Sequence, residues 1–413
     1  MKRLKKYQSL VSYFSSSLAT SGLGFAAALV MMRLMAPEEF GRFALFMSIQ
    51  FIAVPMVSFN ADRLIATNNA KLGKVEYEHF RRSYVTFAYL MFLVVQTIFI
   101  LLYPIGILED SLYLIIPICG LIRFLVGIAS IEYVMEEKAV QYGVLAFSSA
   151  AVSLLFTVIF IYLFSAVADW RVAALVFSDL LFLCVRYRGR MKLLFVFSMD
   201  KQIFKDIMRF GFPLLLAVGP AWVLSQSDRL IVAQLVDIKA VGYYAAALAI
   251  GNVMIVFNTA MVQTITPRLY RELGESSGNM MLIVKRQAIK SLLVSVGFGG
   301  LFALMYGFTS DLFLPEKYAG ARQIVFIYIL FSLSRSFYSV LGLAADYYGM
   351  TFVRLRGNIY GCMTSVTVAF AGVIHFGVVG AAAGGGAGYL MLSWVLWISL
   401  VQKSREKLAP RKP

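Results

Sequence analysis

Residues 144–165 read VLAFSSAAVSLLFTVIFIYLFS, with no charged side chain. An α-helix rises about 1.5 Å per residue, so a run of this length crosses the roughly 30 Å hydrocarbon layer of a bilayer. In oil every backbone N–H and C=O must be paired within the segment, and the helix does that. The run is not isolated. Others fall near residues 10–34, 43–66, 84–103, 112–132, 170–186, 211–236, 241–266, 288–308, 323–347, 357–376 and 379–402. The sequence therefore predicts an all-α integral membrane protein with about twelve transmembrane helices.

Composition agrees. Hydrophobic residues make up 60% of the chain and charged residues 15%, against about 45–50% and about 25% in soluble domains. The net charge of +16 does not mark a nucleic-acid partner, because the basic residues sit in short loops between apolar runs. With both termini placed in the cytoplasm, 28 of the 38 Lys and Arg face inward. Only Arg42, Arg171, Lys239, Lys317 and Arg322 fall in outside loops. This asymmetry is the positive-inside pattern and predicts a multi-pass protein of the bacterial inner membrane with cytoplasmic termini. The start (Lys2, Arg3, Lys5, Lys6, then an apolar run to about Leu34) is read as a retained first helix, since no cleavage site follows. Cys119, Cys184 and Cys362 are far apart, as are His79 and His375, so no metal site or disulfide framework is expected. No phosphate loop, nucleophile–base pair or dinucleotide fingerprint is present. The expectation is a protein that is not an enzyme and uses no cofactor.

An internal repeat divides the chain. Residues 34–45, LMAPEEFGRFAL, align with residues 235–246, LVDIKAVGYYAA: Leu34 with Leu235, Gly41 with Gly242, Phe43 with Tyr244 and Ala44 with Ala245. Both segments join the first and second helices of a six-helix half. Six is even, so the halves run parallel in the membrane. The expected lobes are 1–200 and 201–413.

Charges inside spans are costly and tend to face a cavity or a partner. The candidates are Arg33, Arg63, Arg123, Arg229 and Arg335, with Asp62, Asp179 and Asp228 as coupling or ion-pair acids. Arg123 and Arg335 fall near mid-membrane in equivalent helices. Arg33 and Arg63 lie near helix ends, where snorkelling competes with a cavity role. Glu132 and Asp346, near inner helix ends, read as interfacial. Trp222, Gln226 and Arg229 share a helix face by their spacing, in a helix that also carries Pro213 and Pro220; a bent helix with a polar face suits a gate. Pro55, Asn60 and Arg63 invite the same reading in the second helix. Gly380, Gly384 and Gly388 form a small stripe suited to close helix packing.

Leu34–Leu45 resembles the loop after the first helix in polysaccharide repeat-unit flippases of the Wzx type. Ser227–Ile231 (SDRLI), followed by Val241-Gly242-Tyr243-Tyr244, resembles the start of their second half. These flippases belong to the multidrug/oligosaccharidyl-lipid/polysaccharide exporter superfamily. The resemblance implies two six-helix lobes around a central, cationic cavity that opens to each side in turn. It implies a lipid-linked oligosaccharide substrate on undecaprenyl pyrophosphate, used for O-antigen or another surface polysaccharide. Partners would be membrane lipids and polysaccharide-assembly proteins, with no nucleic acid. Drug-exporting relatives carry acidic coupling residues in the first lobe; here only Asp62 and Asp179 fit. Three rivals are an ion-coupled exporter of the same fold, a peptidoglycan-precursor flippase, whose relatives are often two helices longer, and a membrane-embedded polymerase or ligase.

Overall fold

The computed structural model describes residues 19–60, 62–106, 108–136, 138–189, 197–275 and 280–408, the side chains of 62, 63, 139 and 406–408 excepted. The described residues form helices joined by short turns and loops, with no strand. In chain order the helices are α1 (Ala19–Leu34), α2 (Pro37–Ser58), α3 (Asp62–Lys71), α4 (Lys74–Leu102), α5 (Ile116–Met135), α6 (Ala139–Leu163), α7 (Ala168–Arg186), α8 (Lys201–Leu235), α9 (Ile238–Glu275), α10 (Met280–Phe313), α11 (Arg322–Tyr347), α12 (Thr351–Phe376) and α13 (Val378–Leu408). Short 3-10 turns, Ser111–Ile115 and Glu316–Ala321, precede α5 and α11. Ten of these segments are long and apolar enough to cross a bilayer. The first and sixth expected spans correspond to α1, described over Ala19–Leu34, and to α7. Asp169, Arg171, Asp179 and Arg186 lower the hydropathy of α7. Large apolar side chains face outward, among them Phe308, Phe352 and Tyr162, as lipid rather than water requires.

One expected span is broken. The run at 43–66 forms α2, then Phe59 and Asn60 enter the left-handed region (φ 52° and 51°), and α3 follows as a separate helix. Side chains pin the break: Tyr84 Oη donates to the Ser58 carbonyl at 2.7 Å, and Asn60 N–H donates to Ser58 Oγ at 3.0 Å. By contrast α8 runs on through Pro213 and Pro220.

The chain divides into two compact units, Met1–Gly219 and Pro220–Pro413. In the first, aromatic rings interlock around Tyr84: Phe124 meets it edge-on at 5.2 Å, and Phe87 meets Phe59 at 5.1 Å. In the second, α12 and α13 lie backbone against backbone. A Cβ on Gly388 would stand 2.8 Å from the Gly361 carbonyl oxygen, and one on Gly384 would stand 2.7 Å from that of Ser365. The Gly380, Gly384 and Gly388 stripe is thus a packing face.

The repeat is visible in the helix ends. Residues Leu34 and Leu235 close α1 and α8, and Pro37 and Ile238 open α2 and α9, all at an offset of 201. The conserved spacing carries different chemistry in each half. In the first, Arg42 is tied to Asp110 at 2.7 Å, Glu39 at 3.1 Å and Asp169 at 3.5 Å, while Glu39 accepts from Ala168 N–H at 2.8 Å. In the second, Asp237 caps α9 by accepting from Ala240 N–H at 2.6 Å. The motif fastens helix starts.

Candidate functional site

Within the second unit, α8, α9, α11 and α13 enclose a cavity of about 250 Å³. Each wall follows from local sequence. On α8, Gln226 and Arg229 are one turn apart, and Arg229 Nη1 donates to Gln226 Oε1 at 2.6 Å and to the Ser225 carbonyl at 3.3 Å. Asp228 is divided: Oδ1 lies 3.4 Å from Arg229 Nη1, and Oδ2 accepts from Tyr244 Oη of α9 at 2.7 Å. Tyr244 is buried. On α11, Tyr328, Ser332 and Arg335 recur at helical spacing and face the same space. On α13, Gly385 and Gly386 leave room beside Phe331, and Tyr389 completes the wall. Gly251 of α9 lets the Tyr328 ring in: a Cβ there would stand 2.7 Å from Tyr328 Cε1.

Arg335 is the distinctive member. Its guanidinium lies over the Tyr389 ring, 5.4 Å from the centroid, a cation–π contact. Among the described residues it makes no ion pair. It sits near the middle of α11, about 18–20 Å from either end, too deep for easy snorkelling. Two arginines and one aspartate therefore meet in a small cavity, and one of the arginines has no carboxylate. Such a cavity attracts and can grip an anion, since guanidinium donors match the oxygens of a phosphate in pairs.

Arg123 is placed differently. It pairs with Asp179 of α7 at 2.7 Å, with Asp179 the more buried partner. The two mid-helix arginines are also not at equivalent positions along their own segments. Counted from the starts of the preceding 3-10 turns, Arg335 lies seven residues further along than Arg123, or about 10 Å. Nearby, Arg171 is 7% exposed on α7, where the sequence placed it in an outside loop. It donates to Ser153 at 3.0 Å and Thr157 at 2.7 Å and covers the Phe43 ring at 5.3 Å. The missed signal was the Ser153–Thr157 pair, one turn apart on α6 and otherwise apolar in surroundings.

The remaining predicted residues scatter. Arg33 is exposed on the last turn of α1. The side chains of Asp62 and Arg63 lie outside the described residues. Asn60 is, with Phe59, one of two left-handed residues at the α2 break, not part of a bent spanning helix. Trp222 is half-buried on α8 and is not in the cavity wall. Glu132, expected at the interface, is 7% exposed among arginines and tyrosines. The tyrosines Tyr244, Tyr328 and Tyr389 were not singled out from sequence, because aromatic residues at helical spacing fill any membrane protein core.

Residues 7–272 match the family described as polysaccharide biosynthesis protein. No curated protein matches the sequence. Among solved structures, an inward-facing multidrug resistance MATE family transporter of the MOP superfamily superposes with a TM-score of 0.74 at 15% identity, over 95% of this chain and 96% of that one. The lipid II flippase MurJ, in an inward closed conformation, gives 0.73 at 12% identity, over 96% and 91%. The eukaryotic MATE transporter AtDTX14 gives 0.58 at 14% identity, over 98% and 99%. At these identities the likeness is one of fold. The chain belongs to the polysaccharide biosynthesis protein family, on a multi-pass membrane fold shared with transporters of the MATE and MurJ types.

Proposed function

We propose that this protein is a flippase. It moves undecaprenyl-pyrophosphate-linked oligosaccharide repeat units from the cytoplasmic to the periplasmic leaflet of a bacterial inner membrane, for O-antigen or another surface polysaccharide. The observation that carries the reading is Arg335: a mid-helix guanidinium in a cavity, with no carboxylate partner among the described residues. Pockets for drug-sized ligands run from about 300 to 1,000 Å³, so this cavity of about 250 Å³ suits a compact anionic group and not a whole oligosaccharide. The pyrophosphate occupies it while the lipid tail stays in the bilayer. Access then alternates between the two membrane faces through the movement of two six-helix lobes, 1–200 and 201–413. An inside-negative potential favours outward movement of an anion by about 2.3 kcal/mol per charge per 100 mV. No bond is made or broken, so the chain acts as a transporter and not as an enzyme. Polysaccharide-assembly proteins would receive the product.

The test is flipping of a fluorescent lipid-pyrophosphate-linked oligosaccharide in proteoliposomes. Wild-type protein is expected to flip it, folded Arg335→Ala to lose at least tenfold in rate, and Arg335→Lys to recover part of it. Efflux of small cations with no movement of any lipid-linked sugar would replace this reading with that of an ion-coupled exporter.

A further inference from the structure

A second, larger pocket of about 760 Å³ lies wholly within the first unit. Its walls are the start of α4 and the ends of α3, α5 and α7. Helices alternate in direction, so these ends meet at one membrane face. Charged side chains line it, and the most buried of them is Arg81 of α4, only 3% exposed. Burying a cation is expensive unless each donor is satisfied. Here the carboxylates are already taken. Glu78 holds Arg81 at 2.7 Å and also faces Arg82 at 3.5 Å. Glu132 accepts from Tyr77 Oη at 3.2 Å, Tyr187 Oη at 3.3 Å and Arg186 at 3.2 Å. Glu136 lies 3.2 Å from Arg186 and 2.7 Å from Lys138.

The cationic donors are not used up. Arg81 Nη1 and Arg186 Nε are buried with no hydrogen-bond partner. At the rim, Lys74 and Arg188 are exposed and make no ion pair among the described residues. Four cations line the pocket against three carboxylates, and every carboxylate is engaged within the protein. The unmet demand is for acceptor oxygens carrying negative charge. We propose that this pocket binds a phosphate-bearing anion, with Arg81 at its floor and Lys74 and Arg188 at its mouth. Paired guanidinium donors and a mobile lysine are a common way of holding phosphate. The site lies in a different unit from the Arg335 cavity and does not depend on the transport reading.

Two sources of that chemistry exist, a membrane phospholipid headgroup and a free phosphate or pyrophosphate. The full chain carrying Arg335→Gln, which weakens the other cavity, is placed in phosphatidylcholine nanodiscs and titrated calorimetrically with inorganic pyrophosphate. In parallel, retention of phosphatidylglycerol from mixed nanodiscs is measured by native mass spectrometry. Each is repeated with Lys74→Gln and Arg188→Gln together, which touch only exposed positions, and with Arg81→Gln. Pyrophosphate binding that weakens about tenfold or more in the rim variant supports a free-phosphate site. Loss of retained phosphatidylglycerol in the rim variant supports a lipid headgroup site. If Arg81→Gln does not fold, the rim variant alone decides. If neither probe binds, or both bind the rim variant as they bind its parent, the pocket is a hydrated ion-pair lock and the proposal falls.

Discussion

At the scale of single residues, the cost of a buried charge organises the molecule. Arg171 has hydroxyl partners and, among the described residues, no carboxylate in contact. Desolvating a charge is costly, and replacing buried charges by apolar side chains of similar volume is neutral or stabilising where no opposite charge is left behind. Arg171→Met is therefore expected to keep or raise the melting temperature in detergent; a fall would mean that the hydroxyl pair satisfies the charge well. Asn60 tests the backbone instead. At φ 51°, Asn60→Gly should change stability little. A β-branched Asn60→Val should cost about 1–2 kcal/mol, read from the same melts. Asp110, in the loop before α5, carries a pH dependence. Burial pushes its carboxyl up, but bonds from Arg42 and the Leu112 N–H outweigh this and hold it below the ordinary carboxylate value. A group whose folded value is lowered stabilises above its unfolded value, about pH 4, and loses that contribution as pH falls through the folded one. Melting temperature should drop as pH falls below about 4, with a shallower drop in Arg42→Met. An unchanged slope would remove Asp110 from the account.

At the scale of elements, close approach is set by missing side chains. A methyl on Gly251 would meet the Tyr328 ring, and one on Gly388 would meet α12. Gly388→Val should cost about 1–3 kcal/mol by overpacking, visible as a lower melting temperature and loss of monodisperse protein. Gly251→Ala should instead turn the Tyr328 ring and alter the cavity, so flipping should fall more than stability; equal losses in both would argue for packing alone. The helices themselves were legible in the sequence because lipid demands long, continuous apolar runs. The break at Phe59–Asn60 was not, because Asp62 and Arg63, which follow it at the head of the polar helix α3, read equally well as charges inside a span that face a cavity. What stops the helix is a hydrogen bond from Tyr84, twenty-six residues away in sequence.

At the scale of the whole molecule, topology is the sharpest prediction from charge alone. A phosphatase fused to the C-terminus should be inactive and a cytoplasmic reporter active; the reverse would invert the assignment of all 28 inward Lys and Arg. Composition and hydropathy were enough to determine an all-α membrane fold, because solvation by lipid acts on each segment separately and leaves its mark in local sequence. The candidate sites were only half legible. Sequence could say which spans carry arginine, since a charge in oil is conspicuous wherever it stands. Which arginine is neutralised was decided by tertiary structure: Asp179 reaches Arg123, and Asp228 reaches Arg229 and Tyr244, while Arg335 lies over an aromatic face and has no carboxylate partner among the described residues. Ion pairing falls off within a few ångströms and joins residues far apart in the chain, so it is set by packing alone.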